Sequence, residues 1–184
     1  MTKVAVMGSG SWGTAFANVV TDAGTAEVEL WGRRAEVVDA VARRHENPDY
    51  FPGIGLNPAL TATTESAKAL HDADFVVVAV PSQTLRGNLA AWKTYIPADA
   101  VIVSLMKGIE LGTSRRMSEV ISEVLELSAE QVAVVSGPNL AREIAERQPA
   151  TAVVACPHEP TALRLQHICK SAYFRPYSST DLVG

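Results

Sequence analysis

Four short stretches of this 184-residue chain carry residues suited to holding a charged ligand. The first is Gly8-Ser9-Gly10-Ser11-Trp12-Gly13, a G-x-G-x-x-G that follows an apolar run and opens a small-residue run. Gly8 permits a tight turn, Gly10 leaves the backbone bare for a pyrophosphate, and Gly13 lets the next helix pack close to the strand. The N–H groups and positive dipole of that helix's N-terminus then face phosphate. The second stretch is Arg33-Arg34 in "LWGRRAE", at the end of the second apolar run. An NAD-specific site places Asp or Glu there, to accept from the ribose 2′-OH. A carboxylate would repel a 2′-phosphate and guanidinium groups attract one, so NADP is expected ahead of NAD, with NAD also allowed. Both arginines have the alternative of solvating a helix start, Arg34 more so than Arg33.

The third stretch is Met106-Lys107-Gly108, directly after "AVIVSL". Burying an unpaired ammonium is costly. Lys107 therefore either runs out to solvent along its stem or faces a substrate, binding its phosphate or polarising its oxygen. The fourth is Gly137-Pro138-Asn139, before the short helical pattern "NLAREIAE". Here Asn139 either helps hold an anion or a carboxamide or acts as a plain N-cap. Ala141 gives room for close approach of a ring, or simply packs. Ser82 and Gln83 read as turn residues.

The elements that must position these residues alternate strand with helix. Strand patterns fall at 3–7, 27–31, 74–80, 100–105, 131–136, 151–156 and 172–177. Helical spacing falls at 11–23, 35–45, 84–95, 114–127, 140–146 and near 160–170. Unbroken apolar strands such as "DFVVVAV" are buried on both faces, as in parallel sheets. Repeated βα units predict an α/β fold, a doubly wound and mainly parallel sheet with right-handed crossovers. Each chemical stretch follows a strand, and ligands of open α/β sheets lie outside the carboxyl ends of the strands. All four are thus expected at one site of a Rossmann-like dinucleotide-binding domain. Residues 46–60, rich in Pro, Gly and Asn, read as a long loop that is functional or mobile.

Composition narrows the partners. With 47% apolar residues, 20% charged residues and a net charge of −4, the chain can bury a core and has no basic stripe for nucleic acid. No apolar run approaches the ~20 residues that span a membrane, and the N-terminus lacks the basic start and apolar stretch of a leader. A cytoplasmic protein is expected. Its two cysteines, Cys156 and Cys169, each have a His two residues away. At i, i+2 on a helix, His167 and Cys169 point apart, so no metal site is expected, and a disulfide does not suit a reducing compartment.

"GSGSWGTAFA", "LWGRR", "NPDYFPGIGL", "VVVAVPSQ", "SLMKGIE" and "SGPNLAREIA" occur in this order. Together they resemble the N-terminal domain of bacterial NAD(P)H-dependent glycerol-3-phosphate dehydrogenases, over essentially the whole chain. "KGIE" followed by "SGPNLAREI" separates that family from most other reductases of this fold. The resemblance implies that Gly8, Gly10, Ser11, Trp12, Gly13, Arg33, Arg34, Tyr50, Lys107 and Ala141 meet the cofactor. It implies that Lys107, Gly137 and Asn139 meet the substrate, although many relatives carry Thr or Ser at the position of Asn139. The implied reaction is hydride transfer between dihydroxyacetone phosphate and sn-glycerol 3-phosphate, feeding phospholipid synthesis. Family members continue past the "DLVG" motif, which ends here at Gly184, into a helix bearing the main catalytic lysine and then a helical substrate domain. That lysine is therefore expected after Gly184, and no catalytic residue is expected within residues 1–184. These residues are expected to be the dinucleotide-binding domain, without the helical domain. They are expected to bind cofactor and be inactive alone, with a homodimer allowed for. Two alternatives stand beside this reading: another reductase of the same wider group, such as a ketopantoate or hydroxyacyl reductase, and a non-catalytic NADP-binding module.

Overall fold

A computed structural model describes residues 1–183. Gly184, the landmark after which the catalytic lysine is expected, lies outside the described residues. Chain order is β1 (Thr2–Met7), α1 (Ser11–Ala23), β2 (Ala26–Trp31), α2 (Ala35–Asp39), β3 (Thr61–Thr63), α3 (Ser66–Leu70), β4 (Phe75–Val78) and α4 (Leu85–Trp92). It continues with β5 (Val101–Ser104), α5 (Met117–Leu125), β6 (Val132–Ser136), α6 (Ala141–Ala145), β7 (Ala150–Ala155), α7 (Glu159–Cys169) and β8 (Phe174–Ser179). The strands form one sheet in the order β3-β2-β1-β4-β5-β6-β7-β8. Every neighbouring pair is parallel except β6 and β7. The doubly wound, mainly parallel sheet expected from the βα alternation is the observed architecture.

Strand periodicity divides the core into two layers. Val4 and Val6 of β1 join Phe16 and Val19 of α1, Ile144 of α6 and Leu165 of α7 on one face. Ala5 and Met7 join Leu70 of α3, Leu89 of α4 and Ile121 of α5 on the other. Successive strand side chains point to opposite faces, so a strand covered by helices on both sides must be apolar at every position. β4 is built this way, and β5 is apolar until Ser104 at its end, with all four residues of each strand buried.

The structure departs from the sequence pattern in several places; the helix over 114–127, for one, runs as α5 only over Met117–Leu125. The helix over 35–45 is α2 followed by a π-helical turn over Ala40–Arg44, closed by His45 at φ 54°. The helix over 84–95 begins as a 3₁₀ turn at Ser82–Thr84 and runs as α4 only to Trp92. The last strand lies two residues later than its apolar pattern, at Phe174–Ser179. β3 and α3 were not legible at all: β3 has three residues at the sheet edge, and α3 has five. Runs that short carry almost no periodicity.

Residues 46–60 form a loop, but a tied one. Phe51, Leu56 and Leu60 are buried in the core layer under α1. Asn57 donates to Asp22 at 2.7 Å through its side chain, and its backbone N–H donates to Asn18 Oδ1 at 2.7 Å. Asp22 also accepts from Tyr173 at 2.8 Å and Arg147 at 3.0 Å. One carboxylate at the end of α1 thus joins the loop to the segments that follow α6 and precede β8.

The sheet order reverses between β1 and β4, and there the packing is closest. Gly8 has φ +140°, and a Cβ on it would lie 2.4 Å from the carbonyl oxygen of Ala79. A Cβ on Gly13 would lie 2.0 Å from the carbonyl oxygen of Gly8. Neither neighbour is a flexible side chain, so the strain cannot be relieved cheaply. Gly13→Ala should cost about 2–3 kcal/mol and lower Tm by roughly 5–10 °C in a calorimetric melt.

Candidate dinucleotide site

The carboxyl ends of the parallel strands open onto one cleft of about 500 Å³. It lies over the point where β1 feeds α1 and β2 on one side while β4 leads away on the other. Ligands of doubly wound folds bind at such a point. Gly8, Gly10, Ser11 and Trp12 of the first turn line it, as do Arg33, Arg34 and Tyr50. Lys107 after β5, Gly137 and Asn139 after β6, and Ala141 at the start of α6 line it as well. Of the residues named for cofactor or substrate from the sequence, only Gly13 stands behind the wall, where it packs on Gly8.

The turn is built to present bare backbone. Gly10 caps α1 in an extended conformation, with no side-chain cap and no acidic residue in the first turn. The first N–H groups of a helix have no intrahelical acceptor, and here no side chain of the first turn takes their place. A Cβ on Gly10 would meet nothing within 4 Å, so that space faces the cleft. The base of the turn is fixed by the N–H of Gly8 donating to the carbonyl of Trp31 at 3.0 Å. The N–H of Ala79 donates to the carbonyl of Met7 at 3.0 Å.

Asn47 is a positioning residue that the sequence did not single out. It is fully buried, and its Nδ2 donates to the carbonyl of Ser9 at 3.1 Å and to Thr14 Oγ1 at 2.9 Å. It thereby ties the long loop to the glycine turn. The turn after it closes with the N–H groups of Tyr50 and Phe51 donating to its carbonyl. Tyr50 is thus placed at the cleft by a buried neighbour three residues away.

The two arginines differ. Arg34 forms an ion pair with Asp49 and lies 4.0 Å from Glu36, whereas Arg33 has no ion-pair partner among the described residues. Lys107 is exposed and likewise unpaired among the described residues. Its loop is held from below. Gln83 donates to the carbonyl of Ile109 at 2.8 Å and accepts from the N–H of Leu111 at 3.0 Å, a side-chain amide acting as a short strand. Gln83 is therefore more than a turn residue. Between those contacts, Glu110 takes a fork from Arg86, at 2.9 and 3.0 Å, and a bond from Thr113 Oγ1 at 2.6 Å. These bonds, the Arg86 fork first, hold the Glu110 carboxyl down to about 2.

Asn139 does not cap α6; Leu140 occupies that position. Both polar atoms of the Asn139 side chain are buried without a partner. A buried amide with no hydrogen bond is costly, and this one lines the cleft. Uncapped α1, bare Gly10 and the orphaned amide all fit a ligand bearing phosphates and further polar groups. Among the described residues, no group of three or more His, Cys, Asp and Glu side chains could hold a metal ion. Cys156 and Cys169 are both buried and unpaired with each other.

Fold and cleft together define a Rossmann-like domain with a candidate dinucleotide site at its switch point. A family model described as the N-terminus of NAD-dependent glycerol-3-phosphate dehydrogenase matches residues 3–162, and the chain belongs to that family. It is 71% identical over 184 residues to glycerol-3-phosphate dehydrogenase [NAD(P)+] of Thermobifida fusca, covering all of this chain and 55% of that protein. It is 60% identical over 182 residues to the protein of the same name from Streptomyces griseus, covering 99% of this chain and 54% of that one. The crystal structure of glycerol-3-phosphate dehydrogenase from Coxiella burnetii superposes with a TM-score of 0.89 at 29% identity, over 98% of this chain and 55% of that one. The chain thus spans about half the length of the relatives it matches.

Gly10→Ala should leave Tm unchanged and weaken dinucleotide binding at least ~10-fold in a calorimetric titration, because the added methyl points only into the cleft. A second outcome concerns pH. The Glu110 carboxyl ionises well below its ordinary value of 4.5, so its fork with Arg86 stabilises the fold at neutral pH. That contribution is lost as pH falls from 4.5 towards 2. Thermal melts across this range should fall more steeply for the wild-type chain than for Glu110→Gln.

Proposed function

We propose that this chain is the cofactor-binding part of an NAD(P)-dependent glycerol-3-phosphate dehydrogenase. That enzyme passes a hydride between NAD(P)H and dihydroxyacetone phosphate, giving sn-glycerol 3-phosphate for phospholipid synthesis. One observation carries the reading. The glycine turn, two arginines, an unpaired lysine and an orphaned amide come from distant parts of the chain and converge on one cleft, in a member of this family.

Each side chain then has a physical task. The bare first turn of α1, at Ser11 and Trp12, holds the pyrophosphate. Arg33, with Arg34 beside it, takes the 2′-phosphate, so NADP binds ahead of NAD while both are used. Tyr50 covers the same end of the cleft, and Ala141 keeps room for the ring that reacts. Leu105 and Val135 line the cleft with apolar surface and keep water off the reacting centre. Lys107 sits between cofactor and substrate, where its ammonium holds the substrate phosphate or polarises its carbonyl oxygen. Gly137 and Asn139 complete the substrate side. When bound, the nicotinamide supplies or accepts the hydride.

A ketone reduced by hydride must also gain a proton. None of the lining residues is His, Asp or Glu. In our reading the main proton donor is a lysine that follows the position of Gly184. It and much of the substrate site belong to the part of the longer relatives that this chain does not span. Residues 1–184 would then form one dinucleotide-binding domain that binds cofactor and turns over little or nothing by itself. No described helix is long and apolar enough to cross a membrane. Free buried cysteines and a phosphorylated metabolite as substrate support a cytoplasmic location.

Trp12 and Trp31 line the cleft, so nucleotide binding should quench tryptophan fluorescence. Titration should give micromolar NADPH affinity with NADH weaker, and no steady NADPH oxidation when dihydroxyacetone phosphate is added. Absence of binding by either nucleotide would overturn the cofactor reading. Brisk turnover would overturn the claim that this chain is inactive alone.

A further inference from the structure

The structure pairs a cleft-lining arginine with a carboxylate from an element that the glycine-turn motif does not predict. NAD-specific members of this fold carry their discriminating acid at the end of the second strand. Here β2 ends in Trp31 and is followed by Gly32 and the two arginines. The acid within β2 nearest that end, Glu29, is engaged elsewhere: it accepts from Thr61 at 3.1 Å and lies 3.6 Å from Lys68. Two acids face the cleft-lining Arg34: Glu36 of α2, 4.0 Å away, and, in closer contact, Asp49, carried by the long loop.

Asp49 is not on a loose tether. It lies between buried Asn47, fastened to the glycine turn through Ser9 and Thr14, and Phe51, which is 1% exposed. The N–H of Phe51 donates to the carbonyl of Asn47 at 2.8 Å, closing the turn that carries Asp49. Its side chain is 42% exposed and that of Arg34 is 51% exposed, so the pair stays open to exchange with a bound group.

We propose that Asp49 sets the balance between NAD and NADP, acting through Arg34. Its carboxylate competes with a 2′-phosphate for the Arg34 guanidinium, which restrains NADP binding. Arg33, unpaired among the described residues, is the constant attraction for phosphate, and Arg34 is the adjustable one. Asp49 is thus a specificity-determining residue on a different element from the one that holds the usual acid. This rests on the dinucleotide-binding reading of the cleft.

The test is calorimetric titration of the chain with NADPH and NADH, in wild type and in Asp49→Asn, Asp49→Glu, Arg34→Ala and the double variant Arg34→Ala/Asp49→Asn. Asp49→Asn should raise the ratio of NADH to NADPH Kd by roughly 2- to 5-fold, the scale of a partly exposed ion pair. Asp49→Glu, which keeps the charge, should stay near wild type. With Arg34 already replaced, adding Asp49→Asn should change the ratio by less than half as much on a logarithmic scale. A ratio that moves less than twofold in Asp49→Asn overturns the proposal, and so does a full-sized shift that persists without Arg34. Wild-type chain that binds neither nucleotide would instead overturn the underlying cofactor reading, and the proposal with it.

Discussion

The contact between Gly8 and Ala79 governs the rest of the structure. Two parallel strands, β1 and β4, run side by side until their chains must part, β1 into α1 and β4 towards α4. At the parting, the carbonyl of Ala79 fills the place of a Cβ on Gly8, and the carbonyl of Gly8 fills the place of a Cβ on Gly13. Backbone packed this closely leaves α1 starting directly at the mouth of the sheet. No side chain caps its first N–H groups. The site is what remains open once the packing is satisfied: a cleft walled by strand ends, with a helix N-terminus for a floor.

Around that floor the chain adds amides and forked ion pairs to the apolar packing of its loops. Asn47 splices the long loop to the glycine turn, and Gln83 splices the α4 approach to the Lys107 loop. Arg86 and Glu110 then lock that second loop from the side. In each splice a polar side chain crosses between segments distant in sequence and satisfies backbone groups that a loop would otherwise leave unpaired. The result is a site on loops with the placement usual for regular elements. The Asp22 hub ties side chains together at the outer end of the 46–60 loop, far from the chemistry.

Much of this was legible from sequence, for identifiable reasons. β1, α1, β4 and β5 are long or almost wholly apolar, and their patterns survive reading one residue at a time. The cleft was legible because glycines, arginines and a lysine directly after buried strands have few structural uses. Asn47, Asp49 and Gln83 were not, because an amide or a carboxylate in a polar loop looks like any other loop residue. Their importance lies in burial or in partners far away along the chain, as with Asn47 and Ser9. The three-residue β3 failed for a different reason: an edge strand that short is defined by its partner β2, not by its own residues. The opposite lesson comes from Asn139. Its sequence allowed a helix cap, and only the position of Leu140 as the cap leaves its amide free for a ligand.

The central claim is that the mouth of the sheet at the β1–β4 parting is the dinucleotide site. The most direct measurement is an amide chemical-shift map of the chain with and without NADPH. Large shifts confined to Ser9 to Trp12, the Arg33-Arg34 pair, Tyr50, Lys107 and the segment around Asn139 are the expected result. Shifts centred instead on the outer strands β7 and β8, with the glycine turn unmoved, would contradict it.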